Sequence, residues 1–282
     1  MVKVNIVGAG PAGSYTGYQL AKLGHDVTIY EEHKIIGEPF QCTGIVTSQI
    51  HDLVDVSDVC VNKIDTARIT AGNKSVEVNF SKPNLILDRC AFDQKLANKA
   101  YDSGAHILTG HHVIRTGQDQ IGVKNLKTGR TLSRTHDFLV GADGPLSMTA
   151  KQNGMWCNRQ MWQGVQARAK LSNDNAIEFF PDIGTFAWIV PEDGNTVRIG
   201  LLAEKGGKPL FDSFCRKIGV KKIISMQGGL VPKYDPWALT SKGNVKLVGD
   251  AALQVKATTG GGIIQGLIAS EALANSIDSN YD

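Results

Sequence analysis

Cysteine is scarce and scattered in this 282-residue chain: Cys42, Cys60, Cys90, Cys157 and Cys215 are odd in number and far apart. No CxxC pair occurs, so neither a disulfide framework nor a zinc site is indicated, and a reducing cytoplasm is the expected setting. The seven histidines show no metal-ligand spacing, adjacent His111 and His112 point to opposite faces of a strand, and no Ser-His-Asp arrangement is evident. No metal is expected. The basic residues are spread out at a net charge of +3, which excludes the Lys/Arg stripe of a nucleic-acid binder. Long apolar runs are also missing. The longest, Gly260 to Ala274, is interrupted by Gln265, Ser270 and Glu271, too short and polar to cross a bilayer, so any membrane contact is expected to be peripheral, at the inner face. The first residues already read as a core strand, so no signal peptide is expected. Hydrophobic content of 42% and charged content of 20% are ordinary for a globular protein with a large core.

What is present is concentrated at the start. Val2, Val4, Ile6 and Val7 predict a buried strand running into Gly8-Ala9-Gly10-Pro11-Ala12-Gly13, then a helix over Ser14 to Leu23 and a second strand, Asp26 to Tyr30, ending at Glu31. Gly8 allows a tight turn, Gly10 lets backbone approach a pyrophosphate, and Gly13 brings helix close to strand. The free N–H groups of the helix then face the phosphates. Glu31, about twenty residues on, can accept both ribose hydroxyls of an adenosine and would repel a 2′-phosphate, so FAD or NAD suits the site better than NADP.

Further along, Glu32 to Gly44 predicts a long loop and Ile45 to Leu53 a helix-like stretch. Ala67 to Thr70 and Ser75 to Phe80 predict a hairpin, and Cys90 to Ser103 a helix. Short strands are expected at Ala105 to Leu108, Val113 to Thr116, Gly122 to Leu126 and Asp137 to Val140, the last delivering Gly141-Ala142-Asp143-Gly144. The stretch from Gln163 to Leu202 predicts an antiparallel region. Val245 to Val248 predicts another buried strand, entering Gly249-Asp250-Ala251-Ala252, and Thr259-Gly260-Gly261-Gly262-Ile263 opens a last helix. Such a helix start offers about half a positive charge to an anionic ring edge. No second GxGxxG occurs, so a dedicated NAD(P)H domain is not expected.

Together, the Gly8–Gly13 motif with Glu31, Gly141-Ala142-Asp143-Gly144, and Gly249-Asp250 with its glycine-led helix resemble FAD-dependent enzymes of the para-hydroxybenzoate hydroxylase fold. Four details are similar to the geranylgeranyl reductase family: Gly37-Glu38-Pro39 with Cys42-Thr43-Gly44, the segment Leu87 to Leu96 (DRxxFDxxL), Phe186-Ala187-Trp188-Ile189-Val190-Pro191 (YxWxFP), and Thr259 to Ile263 (TGGGI). The resemblance runs from Val2 to about Ile277. It implies an α/β protein with a Rossmann-like FAD-binding domain (1–62, 84–150 and 240–282) and an antiparallel β-sheet substrate domain (63–83 and 151–239), short at its C-terminal end. By position, FAD contacts are implied at Gly8, Gly10, Ala12, Gly13, Glu31, Cys42, Thr43, Ile45, Arg89, Val113, Asp250, Gly262 and Ile263. The implied catalytic residues are Cys42, Trp188 and Phe186.

The implied activity is reduction of isolated C=C bonds in geranylgeranyl or polyprenyl lipids, with an external electron donor, ferredoxin or NAD(P)H. There are departures: Phe186 and Val190 stand where that family has Tyr and Phe, and Lys256-Ala257 where it tends to have Asn-Pro. Read from the residues alone, Phe186 and Trp188 either line an apolar channel or fill the core, and Cys42 is either a thiol near the flavin or a packing residue. The alternatives are a flavin monooxygenase or halogenase of the same fold, and an FAD-binding protein without turnover.

Overall fold

A computed structural model describes residues 1–39 and 42–279; Phe40 and Gln41 of the predicted loop lie outside the described residues. In chain order the strands are β1 Lys3–Val7, β2 Asp26–Glu31, β3 Ile45–Val46, β4 Cys60–Ala71, β5 Lys74–Leu87, β6 His106–Thr109, β7 His111–Arg115, β8 Gln120–Asn125 and β9 Thr131–Thr135. They continue with β10 Phe138–Gly141, β11 Met161–Lys170, β12 Ile177–Phe180, β13 Phe186–Asp193, β14 Thr196–Ala203, β15 Lys222–Pro232, β16 Ser241–Lys242 and β17 Val245–Leu247. The α-helices are α1 Pro11–Lys22, α2 Arg89–Asp102, α3 Met148–Gln152, α4 Gly207–Lys217 and α5 Ile263–Ser279.

The chain divides into two compact units. The first comprises residues 1–38, 90–160 and 232–282, the second 39–89 and 161–231. The first unit holds a six-stranded sheet in the order β16-β17-β10-β1-β2-β6 and a three-stranded sheet β7-β8-β9. β1 pairs in parallel with β2 and β10, and β10 in parallel with β17, so strands from opposite ends of the sequence are one strand apart. Because β1 is covered on both faces, Val4, Asn5, Ile6 and Val7 are all buried instead of alternating between buried and exposed. Val2, Val4, Ile6, Leu20, Ile29 and Ile277 share one buried cluster, which packs α1 and α5 onto the sheet.

The second unit is built on a sheet ordered β15-β11-β14-β13-β12-β4-β5-β3. The pairings β3–β5, β4–β5, β11–β14, β12–β13 and β13–β14 are antiparallel, whereas β4 and β12 run parallel. One face carries Ala167, Ala169, Phe180, Ala187, Ile199 and Leu201, which pack with Phe211 and Phe214 of α4. The opposite face carries Ile64, Trp162, Trp188 and Leu202, with Phe80, Phe179 and Phe186 half-buried against them.

Three expectations change. Ile45 to Leu53 is not helix-like: the β-branched Ile45 and Val46 pair with Ile86 and Leu85, and only Ser48–Asp52 coils, as a 3₁₀ turn. The expected hairpin exists but its arms reach Cys60 and Leu87, with Gly72 at φ +56° in the turn. Since β3 lies on β5, residues 39–62 and 84–89 cluster with the sheet unit, while residues 151–160, whose Met155 packs with Leu247, and residues 232–239 cluster with the first. The strands β9 and β15 and the helix α4 had no counterpart in the sequence reading.

Candidate functional site

In the first unit the three glycines of the opening motif differ sharply in their surroundings. Gly8 turns the chain at φ +98°, and a Cβ there would lie 2.5 Å from the Ala142 carbonyl oxygen. A Cβ on Gly13 would lie 2.0 Å from the Gly8 carbonyl oxygen. These two are demanded by packing of strand, turn and helix. The Cβ direction of Gly10, by contrast, meets nothing within 4 Å. Gly10 is the N-cap of α1 without a side-chain hydrogen bond, and the first turn holds no acidic residue. The open N–H groups and the positive end of the helix dipole are therefore available to an anion.

Glu31 ends β2 beside this turn. Its Oε2 accepts from the Ala9 N–H at 2.8 Å and its Oε1 from the His33 N–H at 2.9 Å, with His33 Nδ1 2.7 Å away. The carboxylate is thereby held against the glycine turn with 12% of its side chain exposed.

The late motif joins the early one through small residues. Gly249 has φ +67°, and a Cβ on it would lie 2.8 Å from the Ala12 methyl. Ser270 Oγ of α5 lies 3.1 Å from the Ala12 carbonyl oxygen and 2.7 Å from that of Gly266. A Cβ on Gly262 would come within 3.0 Å of Asp250 Oδ1, so the glycines that open α5 lie against the Asp250 carboxylate. The Tyr15 hydroxyl donates to Glu271 Oε1 at 2.7 Å and clamps α1 to α5. Burial, and then the Glu271 carboxylate, push the Tyr15 phenol well above its usual range. Arg159 Nη2 donates to the Ala251 carbonyl at 2.6 Å and Nη1 to that of Pro145 at 3.2 Å, tying the loop after β10 to the turn after β17. Asp143 is engaged within its own turn, accepting from Ser147 Oγ and from the N–H and hydroxyl of Thr149.

In the second unit a polar group sits within the aromatic face. Gln166 Oε1 accepts from Thr43 Oγ1 at 2.6 Å and from Trp188 Nε1 at 3.1 Å, while Gln166 Nε2 donates to Gln227 Oε1 at 2.5 Å. The Trp188 ring lies over Gly200, where a Cβ would come 2.3 Å from it. Phe186 follows at 5.4 Å between ring centroids and Phe179 at 6.4 Å from Phe186.

The structure thus gathers Gly8, Gly10, Ala12, Gly13, Asp250, Gly262 and Ile263 around the start of α1 and the turn after β17, with Glu31 beside Ala9. Val113 lies in β7 with its side chain buried among Tyr30, Ile121 and Val123. Cys42, Thr43, Ile45 and Arg89 belong to the second unit. There Gly44 N–H faces Cys42 Sγ at 3.3 Å, Ile45 packs on the aromatic face, and Arg89 begins α2. Phe186 and Trp188 are on that face together. Gln166, Glu192 and Arg198 were missed. The available signal was Arg198 itself, one charge in β14, whose eight residues are all buried.

An open, mostly parallel sheet with a glycine turn at the start of its first helix, in a chain that also carries a largely antiparallel sheet unit, is a Rossmann-type architecture. Residues 6–50 match the family model described as an NAD(P)-binding Rossmann-like domain. Over 97% of its length the chain is 28% identical to digeranylgeranylglycerophospholipid reductase 3 of Methanosphaera stadtmanae, of which it spans 78%. Among solved structures it superposes with a TM-score of 0.85 and 19% identity on a geranylgeranyl bacteriochlorophyll reductase-like protein of Thermoplasma acidophilum, covering 99% of this chain and 79% of that one. The flavin-dependent halogenase CmlS gives a TM-score of 0.75 at 20% identity, over 98% of this chain and 57% of that one. The expected fold and the resemblance to the geranylgeranyl reductases are both borne out.

Proposed function

We propose that this protein binds FAD and reduces isolated C=C bonds of geranylgeranyl or polyprenyl groups in membrane lipids. The observation that carries the reading is the contrast between Gly10, whose Cβ direction is empty, and Gly8 and Gly13, where a side chain would collide with backbone. That is a cradle for a diphosphate, and the residues around it fit FAD. The uncapped start of α1 takes the pyrophosphate, and Glu31 the adenosine ribose; Asp250, next to Gly262 and Ile263, takes the ribityl chain. Val113, Cys42, Thr43, Ile45 and Arg89 are further proposed contacts. When bound, FAD supplies a hydride to the alkene.

The chain's own share is to hold an oily chain and keep water away. Phe186, Trp188 and Phe179 form an apolar face suited to an isoprenoid, and the loop that carries Cys42 is tied to Gln166, the partner of Trp188, through the Thr43 hydroxyl. No helix among the described residues is long and apolar enough to cross a membrane. The lipid is proposed to be met by peripheral contact at the cytoplasmic face, and electrons to come from ferredoxin or NAD(P)H.

Anaerobic incubation of the FAD-loaded protein with chemically reduced donor and a geranylgeranyl phospholipid, followed by mass spectrometry, tests this: one H₂ is gained per bond reduced. Unchanged lipid in that assay, together with oxygen consumption and peroxide formation in a parallel aerobic incubation with the same reductant, would point to the monooxygenase or halogenase reading. Tight FAD binding with neither outcome would leave a flavin-binding protein without turnover.

A further inference from the structure

Arg198 is a charged residue in the middle of an apolar strand, 4% exposed. Its neighbour across the β11–β14 pairing is another arginine, Arg168. Like charges opposite each other on a sheet repel. Here Glu192 lies between them: Oε2 accepts from Arg168 Nε at 2.5 Å and Oε1 from Arg198 Nε at 2.7 Å. With Nε on Glu192, the Arg198 guanidinium turns Nη1 towards two backbone carbonyls, Thr43 at 2.5 Å and Leu87 at 2.9 Å.

Those two carbonyls belong to segments that are already stitched once. Leu87 N–H donates to the Gly44 carbonyl at 2.9 Å. Nη1 adds a charge-assisted stitch on either side of that bond, and such bonds are stronger than neutral ones. Gly44 makes room for it: the residue has φ +75°, and a Cβ would lie 2.7 Å from Arg198 Nη1 and 2.7 Å from the Leu87 carbonyl oxygen. Fixing the Thr43 backbone aims its hydroxyl at Gln166 and its neighbour Gly44 N–H at Cys42 Sγ.

We infer that Arg198, oriented by Glu192, is a positioning residue that holds the Cys42–Thr43–Gly44 loop in register against β5 and the aromatic face. It touches neither cofactor nor lipid in this role. It acts through the Thr43 carbonyl, and its chemical purpose rests on the reductase reading above, although its geometry does not.

The test follows the reactivity of Cys42, with the other four cysteines of the same molecule as internal controls. Purified full-length protein is treated with iodoacetamide under native conditions, and modification at each cysteine is timed by peptide mass spectrometry. Arg198→Met is expected to raise the Cys42 rate at least about tenfold, the factor for loss of one charge-assisted hydrogen bond. Cys60, Cys90, Cys157 and Cys215 should stay within about twofold of the parent protein, the range of a local opening. Arg198→Lys, whose ammonium can still reach one carbonyl, should restore part of the protection, and Arg168→Met, which leaves the loop stitches in place, should behave as the parent.

An unchanged Cys42 rate in Arg198→Met overturns the inference. So does a parallel rise at all five cysteines, which would make Arg198 a general stability residue. If Arg198→Met does not fold, Arg198→Lys and Glu192→Gln decide by the same criterion. No lipid or electron donor enters the measurement, so failure here and failure of the reductase reading are separate results.

Discussion

Trp188 Nε1 and Thr43 Oγ1 both donate to one oxygen, Oε1 of Gln166, at 3.1 and 2.6 Å. A tryptophan of the aromatic face and the loop that carries Cys42 are thus set by a single amide. Trp188→Phe keeps a ring on the face and removes one donor. Global stability should fall by about 1 kcal/mol, the size of one hydrogen bond, measured by urea unfolding. FAD affinity should be unchanged while the rate of prenyl reduction falls. A loss of FAD binding in this variant would show that Trp188 does not act through the lipid side.

Gly10→Ala and Gly13→Ala should fail in opposite ways. The Gly10 methyl enters open space, so the apoprotein's melting temperature should not change, whereas FAD affinity should drop about tenfold or more through lost backbone approach to the diphosphate. The Gly13 methyl would collide with the Gly8 carbonyl, and the fold itself should lose more than about 2 kcal/mol. Calorimetry of each apoprotein beside FAD titration by fluorescence separates the two.

Glu31→Ala removes the acceptor proposed for the ribose hydroxyls and leaves the Ala9 N–H without its carboxylate. Hydrogen bonds to a charged group are worth about 1.5 to 3 kcal/mol, so FAD dissociation should be at least about tenfold tighter in the parent. Equal dissociation constants would remove Glu31 from the cofactor's contacts.

His136 gives stability a pH dependence. Burial lowers its pKa below the usual histidine value, and Asn5 Nδ2 lies 3.4 Å from its Nδ1. In the unfolded chain the imidazole takes up a proton near pH 6.5, while in the folded protein it stays neutral to lower pH. The stabilisation is fully present above about pH 6.5 and is lost as pH falls through the folded pKa. Urea midpoints at about pH 7.5 and about pH 5.5 should therefore drop more for the parent than for His136→Gln. Equal drops would place the acid sensitivity elsewhere.

The parts of the site that could be read from the sequence are those whose signal is local. Gly13 packs on the Gly8 carbonyl within the same turn, Gly10 is the N-cap of the helix that follows, and Val4 to Val7 declare a strand buried on both faces. Gly249-Asp250 could be placed because a buried strand delivers it. Gln166, Glu192 and Arg198 could not. Their meaning depends on the register that sets Arg168 opposite Arg198 and on a loop more than 100 positions away, with Arg198 and Thr43 separated by 155 residues. Strand β15 was invisible for another reason: most of its residues are exposed, so no alternation marks it. Ile45 and Val46 misled because two residues in a ladder leave no period to detect.

The contact of Ala12 with Gly249, and of its carbonyl with Ser270, has a consequence for folding. Ala12 and Ser270 are 258 residues apart in sequence, so the glycine turn is completed only when a contact of very long range closes. Such contacts form slowly, and the assembly of the dinucleotide site waits on the docking of α5.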